Sequence, residues 1–452
     1  MISVQNLRLP LNGNKKPIIF IILLTSFASC NLIKGQQADI NPEVPLKELS
    51  TVKTNTDEHK SIDFKKDNKI KDNDKITTTE KVQDTLSKIY PLEIKNTYKI
   101  AYLLPLQLEG VFSSEFKQST TSKYSQDFYM GAKLALDDSI SEMKLNLEVF
   151  IYDSYIKDDS TMPKILEDIK AKNIDLIIGP LRSSKMEIFY EYSKEAKIPM
   201  ISPTAENKDF LADNPYFISG RPSFYTLSNK ISQHIIENFK QYNLIILCEN
   251  KELLETYKNI FLTSGSIHNF DSFHAMVLNT SNWGSATYLS LLKDTNNIIF
   301  APIENAIVIN SLLSYLIRNM EKDITLLAPY EWLNYPALET HMLAQIKSQL
   351  YAEPYLDFND SLNFSFITNY RKKFNTEPND YSWFGYQYTL MFTDLFSKYG
   401  KYIQRGFYAP EESAYLNFIK TGTNKAYENS DLHFYEVKEY EIRRLPDIKK
   451  EY

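Results

Sequence analysis

The feature that most restricts the fold is an alternation that begins at Tyr98 and is later repeated. YKIAYLL is a short, almost unbroken apolar run, the pattern of a parallel strand buried on both faces. Residues 124–140 (YSQDFYMGAKLALDDSI) carry apolar side chains at helical spacing, and 145–153 (LNLEVFIYD) read as a strand. A helix follows near 163–172, with Pro163 suited to its first turn. IDLIIG (174–179) is a strand, SSKMEIFYEYSKEAK a helix that Ser183 or Ser184 can N-cap, and IPMIS (198–202) the next strand. After YFISGRPS the pattern restarts with a helix over 224–239 and the strand NLIILC. KELLETYKNIF, ATYLSLLKD and ENAIVINSLLSYLIRNM read as helices, between the strands SFHAMV, NNIIFAP and ITLLAP. Such alternation predicts an α/β protein of two doubly wound parallel-sheet lobes with helices on both faces. The absence of a Gly-rich linker between them points to a cleft-forming pair with several crossovers.

Composition narrows the class further. With 452 residues, 43% apolar and 24% charged, and only 12 glycines, the chain is not collagen-like, globally disordered or a multi-span membrane protein. A net charge of −6 gives no sign of a nucleic-acid partner.

The first 95 residues stand apart. Arg8, Lys15 and Lys16 precede the apolar run 17–24, and small residues lead to Phe27-Ala28-Ser29-Cys30. This is the layout of a secretory signal over residues 1–29. A cysteine after Ala-Ser resembles a bacterial lipobox, with Phe27 where an aliphatic residue is usual. That resemblance implies lipidation of Cys30, with several acyl chains giving durable anchoring. Asn31 in second place implies delivery to the outer membrane, facing the periplasm. Residues 30–95 are rich in Lys, Asp, Asn and Thr and contain only the aromatics Phe64 and Tyr90. Such a stretch cannot bury enough apolar surface to offset its ordering entropy, so it is expected to be a disordered tether. As a coil its span is roughly 45 Å.

The segments KIAYLLPL, FYMGAKLALDDSI, IDLIIGPLRSSKMEIFYEYSKEAKIPMISPTAEN and NPYFISGRPS form an ordered series. Together with LYAEPYLDF and NYRKKFNTEPNDYSWFGYQYTLMF, the series resembles the type I periplasmic solute-binding proteins of the branched-chain amino acid receptor group. The resemblance spans about residues 96–440. It implies a first lobe from 96–220 and 357–430, and a second from 221–356 and 431–452. Crossovers would fall near 218–223, 352–357 and 425–435, and the lobes would close on a ligand like a hinged trap. Ligands of such folds sit outside the carboxyl ends of parallel strands, where helix N-termini offer free N–H groups. The resemblance places Ser183 against a ligand carboxylate. Ser184 in the same turn, and Thr204, Ala205 and Glu206 in the next, are further candidates. Capping of their own helices is the plainer role for Ser183, Ser184 and Thr204.

Three positions depart from the amino-acid receptors. Glu206 stands where Thr or Ser is usual, and a carboxylate there would repel an anionic ligand end. The stretch 249–254 (ENKELL) lacks the usual Tyr-Gly. Ala328-Pro329-Tyr330-Glu331 could supply an acidic residue, Glu331, from the second lobe. A small polar solute, amino-acid-like, peptide or cell-wall fragment, is therefore the expected ligand, with a membrane permease as partner in transport or sensing. The chain also resembles the lipid-anchored activators of penicillin-binding proteins, and that likeness would make a peptidoglycan synthase the partner.

Signals for catalysis are weak. Lys420-Thr421-Gly422 and S-x-x-K at 114–117 and 141–144 match pieces of penicillin-binding active sites, but so many Ser and Lys produce such matches by chance. No G-x-S-x-G, G-x-G-x-x-G or Walker loop occurs, and the six histidines are dispersed, so neither cofactor nor metal is expected. Cys248 ends an apolar strand and reads as a buried, inert thiol.

Overall fold

A computed structural model describes residues 88 and 90–446, except 110, 144, 156–157, 182–185, 205–212, 264–269, 284–286, 336–337, 339, 409–415, 422–425 and 439–440. The signal, Cys30 and most of the expected tether lie outside these residues. So do Ser183, Ser184, Ala205 and Glu206.

The first half alternates as the sequence implies: β1 (Thr97–Leu104), α1 (Thr120–Met143), β2 (Asn146–Asp153), α2 (Thr161–Lys172), β3 (Leu176–Ile178), α3 (Glu187–Ala196), β4 (Met200–Ser202) and β5 (Phe217–Ser219). The second half repeats it with α4 (Phe224–Asn238), β6 (Tyr242–Cys248), α5 (Lys251–Thr263), β7 (Phe270–Val277), β8 (Asn296–Phe300), α6 (Ala306–Ile317), β9 (Ile324–Pro329), α7 (Thr340–Gln345) and β10 (Lys347–Ala352). Then come α8 (Phe364–Phe374), α9 (Asp380–Tyr399) and the strands β11 (Phe418–Lys420), β12 (Tyr427–Asn429), β13 (His433–Lys438) and β14 (Glu441–Arg444).

Two seven-stranded sheets result, ordered β11-β12-β5-β4-β3-β1-β2 and β14-β13-β10-β9-β8-β6-β7. Each has a parallel core wound in the same way. β12 joins the first sheet parallel to β5, whereas β13 joins the second antiparallel to β10. The chain therefore passes between the sheets three times: after β5, after β10 and between β12 and β13. This is the type I periplasmic-binding architecture, with antiparallel β11, β13 and β14 added at the edges.

In the first lobe, β1 buries Tyr98, Tyr102 and Leu104 against the aromatic face of α9. Helices α1 and α9 touch backbone to backbone: a Cβ on Gly131 would lie 1.7 Å from the Ser382 carbonyl oxygen, and one on Gly385 2.0 Å from that of Phe128. The aromatic helix is thus a core element, and its N-terminus is closed by a capping box between Asn379 and Ser382. In the second lobe one face of the sheet is mainly aliphatic, built from α6 and the strands β6, β8 and β9 around Leu312, Leu313, Ile299 and Leu326, and the other is rich in rings such as Tyr257, Phe261 and Phe300.

Three local differences from the sequence reading have physical causes. Tyr90 and Lys95 are held by the first lobe, with Pro91, Leu92 and Ile94 between them exposed, so the folded part begins before residue 96. Tyr90 is fully buried, and its hydroxyl donates to the Pro215 carbonyl at 3.0 Å and lies 3.2 Å from that of Tyr427. Arg405 Nη1 donates to the Tyr90 carbonyl at 2.7 Å, and Lys95 Nζ pairs with buried Asp175 at 2.5 Å. Second, the described part of α3 starts at Glu187 with Met186 as N-cap and no side-chain cap bond, and Ser183 and Ser184, the expected caps, lie outside the described residues. Third, ATYLSLLKD forms only a 3₁₀ turn over Thr287–Leu291. There Asn243 Nδ2 donates to the Leu291 carbonyl at 2.8 Å, and Asn297 Oδ1 accepts from the Lys293 N–H at 2.9 Å. These side-chain bonds take the groups that further helical turns would need.

Candidate functional site

The carboxyl ends of the parallel strands are where such a fold can bind, because the connections there turn backbone groups outward. In the first lobe, three adjacent strand ends meet the first crossover. Gly179 N–H donates to the Ile201 carbonyl at 2.7 Å, and Gly220 N–H to the Ser202 carbonyl at 2.8 Å. The turn after β3 opens with a cis Gly179–Pro180 peptide, and Gly179 has φ 103°, which glycine adopts without strain. The turn after β4 carries Thr204, whose Oγ1 is buried and has no hydrogen-bond partner among the described residues. A buried hydroxyl without a partner is costly, so this atom marks a place where an acceptor or donor would be welcome.

Elsewhere on this end, backbone donors are already taken by the chain's own carboxylates. Asp153, closing β2, accepts from the N–H groups of Leu106 (2.9 Å), Gln107 (3.2 Å), Tyr155 (3.0 Å) and Leu108 (2.8 Å). Buried Glu428 on β12 accepts from the Ser223 N–H and, at 2.8 Å, from the Thr226 hydroxyl, closing the start of α4.

The second lobe differs. Four of its parallel strands are each followed within a few residues by a glutamate: Glu249 after β6, Glu304 after β8, Glu331 after β9 and Glu353 after β10. Glu249 accepts from the N–H groups of Glu304 (3.2 Å) and Asn305 (3.0 Å) at the start of α6. Glu353 forms a two-pronged pair with Arg221 of the first crossover, at 2.7 and 2.8 Å. Glu331 reaches solvent, yet the protein walls around it desolvate its carboxylate and raise its pKa. Glu353 and Glu304 push in the same direction, whereas its own backbone N–H and Arg221 act against them. Tyr335 is raised too, by burial first and then by Glu304, Glu249 and Glu331, so these groups share one electronegative region. Tyr330 and Tyr355 pack beside it with tilted rings at a 4.9 Å separation and share a 3.1 Å hydroxyl bond.

Of the sequence-derived candidates, Thr204 and Glu331 are described, each just beyond a strand's carboxyl end. They approach the same crossover from opposite lobes: Pro203, beside Thr204, packs on Gly220, and Arg221 lies in the field of Glu331. Glu249, Glu304, Glu353 and Arg221 were missed. The signal was available, since Cys248-Glu249 and Ala352-Glu353 put an acid directly after an apolar run. Cys248 is fully buried, and burial, followed by Glu249, pushes its thiol up to about 12, in keeping with an inert role. Lys420 closes the short strand β11 at the edge of the first sheet, away from an innermost antiparallel strand. Among the described residues no cluster of His, Cys, Asp and Glu could hold a metal, and no helix is long and apolar enough to cross a membrane. A pocket of about 290 Å³ near Met320, Asp323 and Lys347 lies by the amino ends of β9 and β10, opposite the candidate site.

No protein-family model matches the chain, and no curated protein matches it in sequence. Solved structures match it in shape. A protein from Rhodospirillum rubrum, provisionally described as a branched-chain amino acid ABC transporter, is 12% identical with a TM-score of 0.59; the match covers 77% of this chain and 100% of that one. A branched-chain amino acid ABC transporter periplasmic ligand-binding protein from Burkholderia xenovorans is 10% identical with a TM-score of 0.55, over 77% and 94% of the two chains. An ABC transporter substrate-binding protein from Sphaerobacter thermophilus is 13% identical with a TM-score of 0.50, over 78% and 98%. At these identities the likeness establishes the fold, that of the type I periplasmic binding proteins.

Proposed function

We propose that the chain is a non-catalytic cell-envelope lipoprotein that captures a small polar solute in the cleft between its lobes, as the binding component of transport or sensing. The observation that carries this reading is what the strand ends present: Thr204 Oγ1, buried with no partner among the described residues, on one lobe and a row of glutamates on the other. A ligand suited to both has a hydrogen-bonding or anionic end for Thr204 and the turn of Ser183 and Ser184. Its cationic group meets Glu331 and Glu304, with Glu206 adding to the same demand. An amino acid, a short peptide or an amine-bearing cell-wall fragment meets that description. The shared fold with the solved ABC-transporter proteins supports the reading. Lipid on Cys30 would hold the protein at the outer membrane, and loss of fatty-acid labelling in Cys30→Ala is the expected result.

A thermal-shift screen of amino acids, short peptides and cell-wall fragments tests the proposal. A ligand at a hundred times its Kd adds about 2.7 kcal/mol of stability. If no compound in these classes moves the melting point, solute capture fails. The peptidoglycan-synthase activator reading, which the lipobox and long tether also suit, then becomes the better account.

A further inference from the structure

The three crossovers do not run past one another independently; the first is bonded to each of the other two. Tyr388 of α9 is fully buried in the first lobe, stacked on Phe392 at a 5.9 Å ring separation. Its hydroxyl donates to the Gly220 carbonyl of the first crossover at 2.9 Å. The same carbonyl accepts from Asn429 Nδ2 at 3.2 Å, where β12 hands over to the third crossover. Gly220 has no room for a side chain: a Cβ there would stand 2.5 Å from the Tyr388 hydroxyl and 2.7 Å from Pro203 Cα. The next residue, Arg221, holds Glu353 of the second crossover by its two-pronged pair. Burial, then the carboxylates of Glu353 and of Asp431 in the third crossover, raise the pKa of the Tyr388 hydroxyl. Asp431 is itself fixed to the first lobe by accepting from the Asn417 N–H (2.8 Å) and Nδ2 (2.6 Å).

We propose that Tyr388 is the pivot on which the lobes turn, fixed to the first crossover through Gly220, and that the Arg221–Glu353 pair is the latch joining the first crossover to the second. Hinge motion in a two-lobed fold is absorbed by a few residues at element ends. Here the hydroxyl of Tyr388 removes freedom from the first of them, and the ion pair makes the second follow. Without either contact, each crossover can take its own backbone path and the lobes sample a wider range of separations.

The test uses the ligand-free full chain carrying Cys30→Ser, so its outcome does not depend on solute capture. Spin labels at cysteines replacing exposed Glu167 and Asn259, one on each lobe, report the interlobe distance by pulsed electron resonance. Tyr388→Phe keeps the ring and deletes the hydroxyl; Glu353→Gln keeps the size and deletes the charge. Each is expected to widen the distance distribution at least twofold. Thr393→Val, which removes a hydroxyl bonded within α9, is expected to leave the width at that of the parent chain. An unchanged width in Tyr388→Phe and Glu353→Gln, or equal widening in Thr393→Val, overturns the proposal. If Tyr388→Phe does not fold, Glu353→Gln decides alone.

Discussion

The two lobes share one winding order but cover corresponding faces of their sheets by different means. Six described glycines of the first lobe and its crossover have crowded Cβ positions, 131, 179, 220, 385, 400 and 406, and the second lobe's Gly265 and Gly284 lie outside the described residues. On one face of its sheet the first lobe brings helix backbones into contact and adds aromatic rings, where the second packs Leu and Ile of α6; on the opposite face the first is mainly aliphatic and the second rich in Tyr and Phe. The strand ends differ in parallel. The first lobe's carboxylates are spent inside the protein on its own N–H groups, while Glu331 and Glu304 of the second enter no ion pair among the described residues. Equivalent topology thus puts a buried hydroxyl, that of Thr204, at the strand ends of one lobe and glutamates at those of the other.

The packing half of this comparison is the easiest to break. Gly385→Ala forces a methyl group onto the Phe128 carbonyl and is expected to destabilise the chain by about 3 kcal/mol, read by urea denaturation. Leu312→Ala in α6 leaves a cavity instead, within about 2–5 kcal/mol. The two are told apart by melting with a small apolar ligand such as benzene, which can enter a cavity but not relieve a backbone clash. A Gly385→Ala chain as stable as the parent would contradict the backbone contact.

Tyr90 sharpens the boundary of the first lobe. Tyr90→Ala is expected to cost about 2 kcal/mol, below the range for central aromatics because a chain segment near the edge of the fold can fray rather than leave a void. A chain starting at residue 96 should melt lower than one starting at residue 88. Equal melting points would mean that residues 90–95 add nothing.

This segment also marks where sequence reading stops. β1 was legible because YKIAYLL is unbroken, and β6 because NLIILC is. One tyrosine in a charged stretch gives no periodic signal, so the burial of Tyr90 depends on partners more than a hundred residues away, Pro215 and Tyr427. The acidic wall is similar. Its glutamates are separated by tens of residues and are gathered only by the sheet order, and Glu331 alone had been singled out. The 3₁₀ turn at Thr287–Leu291 was misread because Asn243 and Asn297, not local propensity, decide where it ends.

A smaller effect separates the walls by pH. The pKa of Glu331 is raised in the folded chain, so its charge opposes folding. This penalty is absent below the unfolded carboxylate range and grows as pH rises through it towards the folded value. Glu331→Gln should therefore slightly stabilise the ligand-free chain at neutral pH, with the gain fading at acid pH. Melting curves of both chains across that range check the sign, and a gain that grows on acidification would contradict it.

The most direct measurement is calorimetric titration of the strongest amino-acid, peptide or cell-wall-fragment binder into the parent chain, Glu331→Gln and Thr204→Val. Loss of one charge-assisted hydrogen bond is worth about 1.5–3 kcal/mol, so the account predicts ten- to a hundredfold weaker binding in Glu331→Gln, and roughly three- to tenfold in Thr204→Val for a neutral bond. Binding of equal strength in all three chains would contradict a cleft that recognises its ligand through opposed hydroxyl and acidic walls.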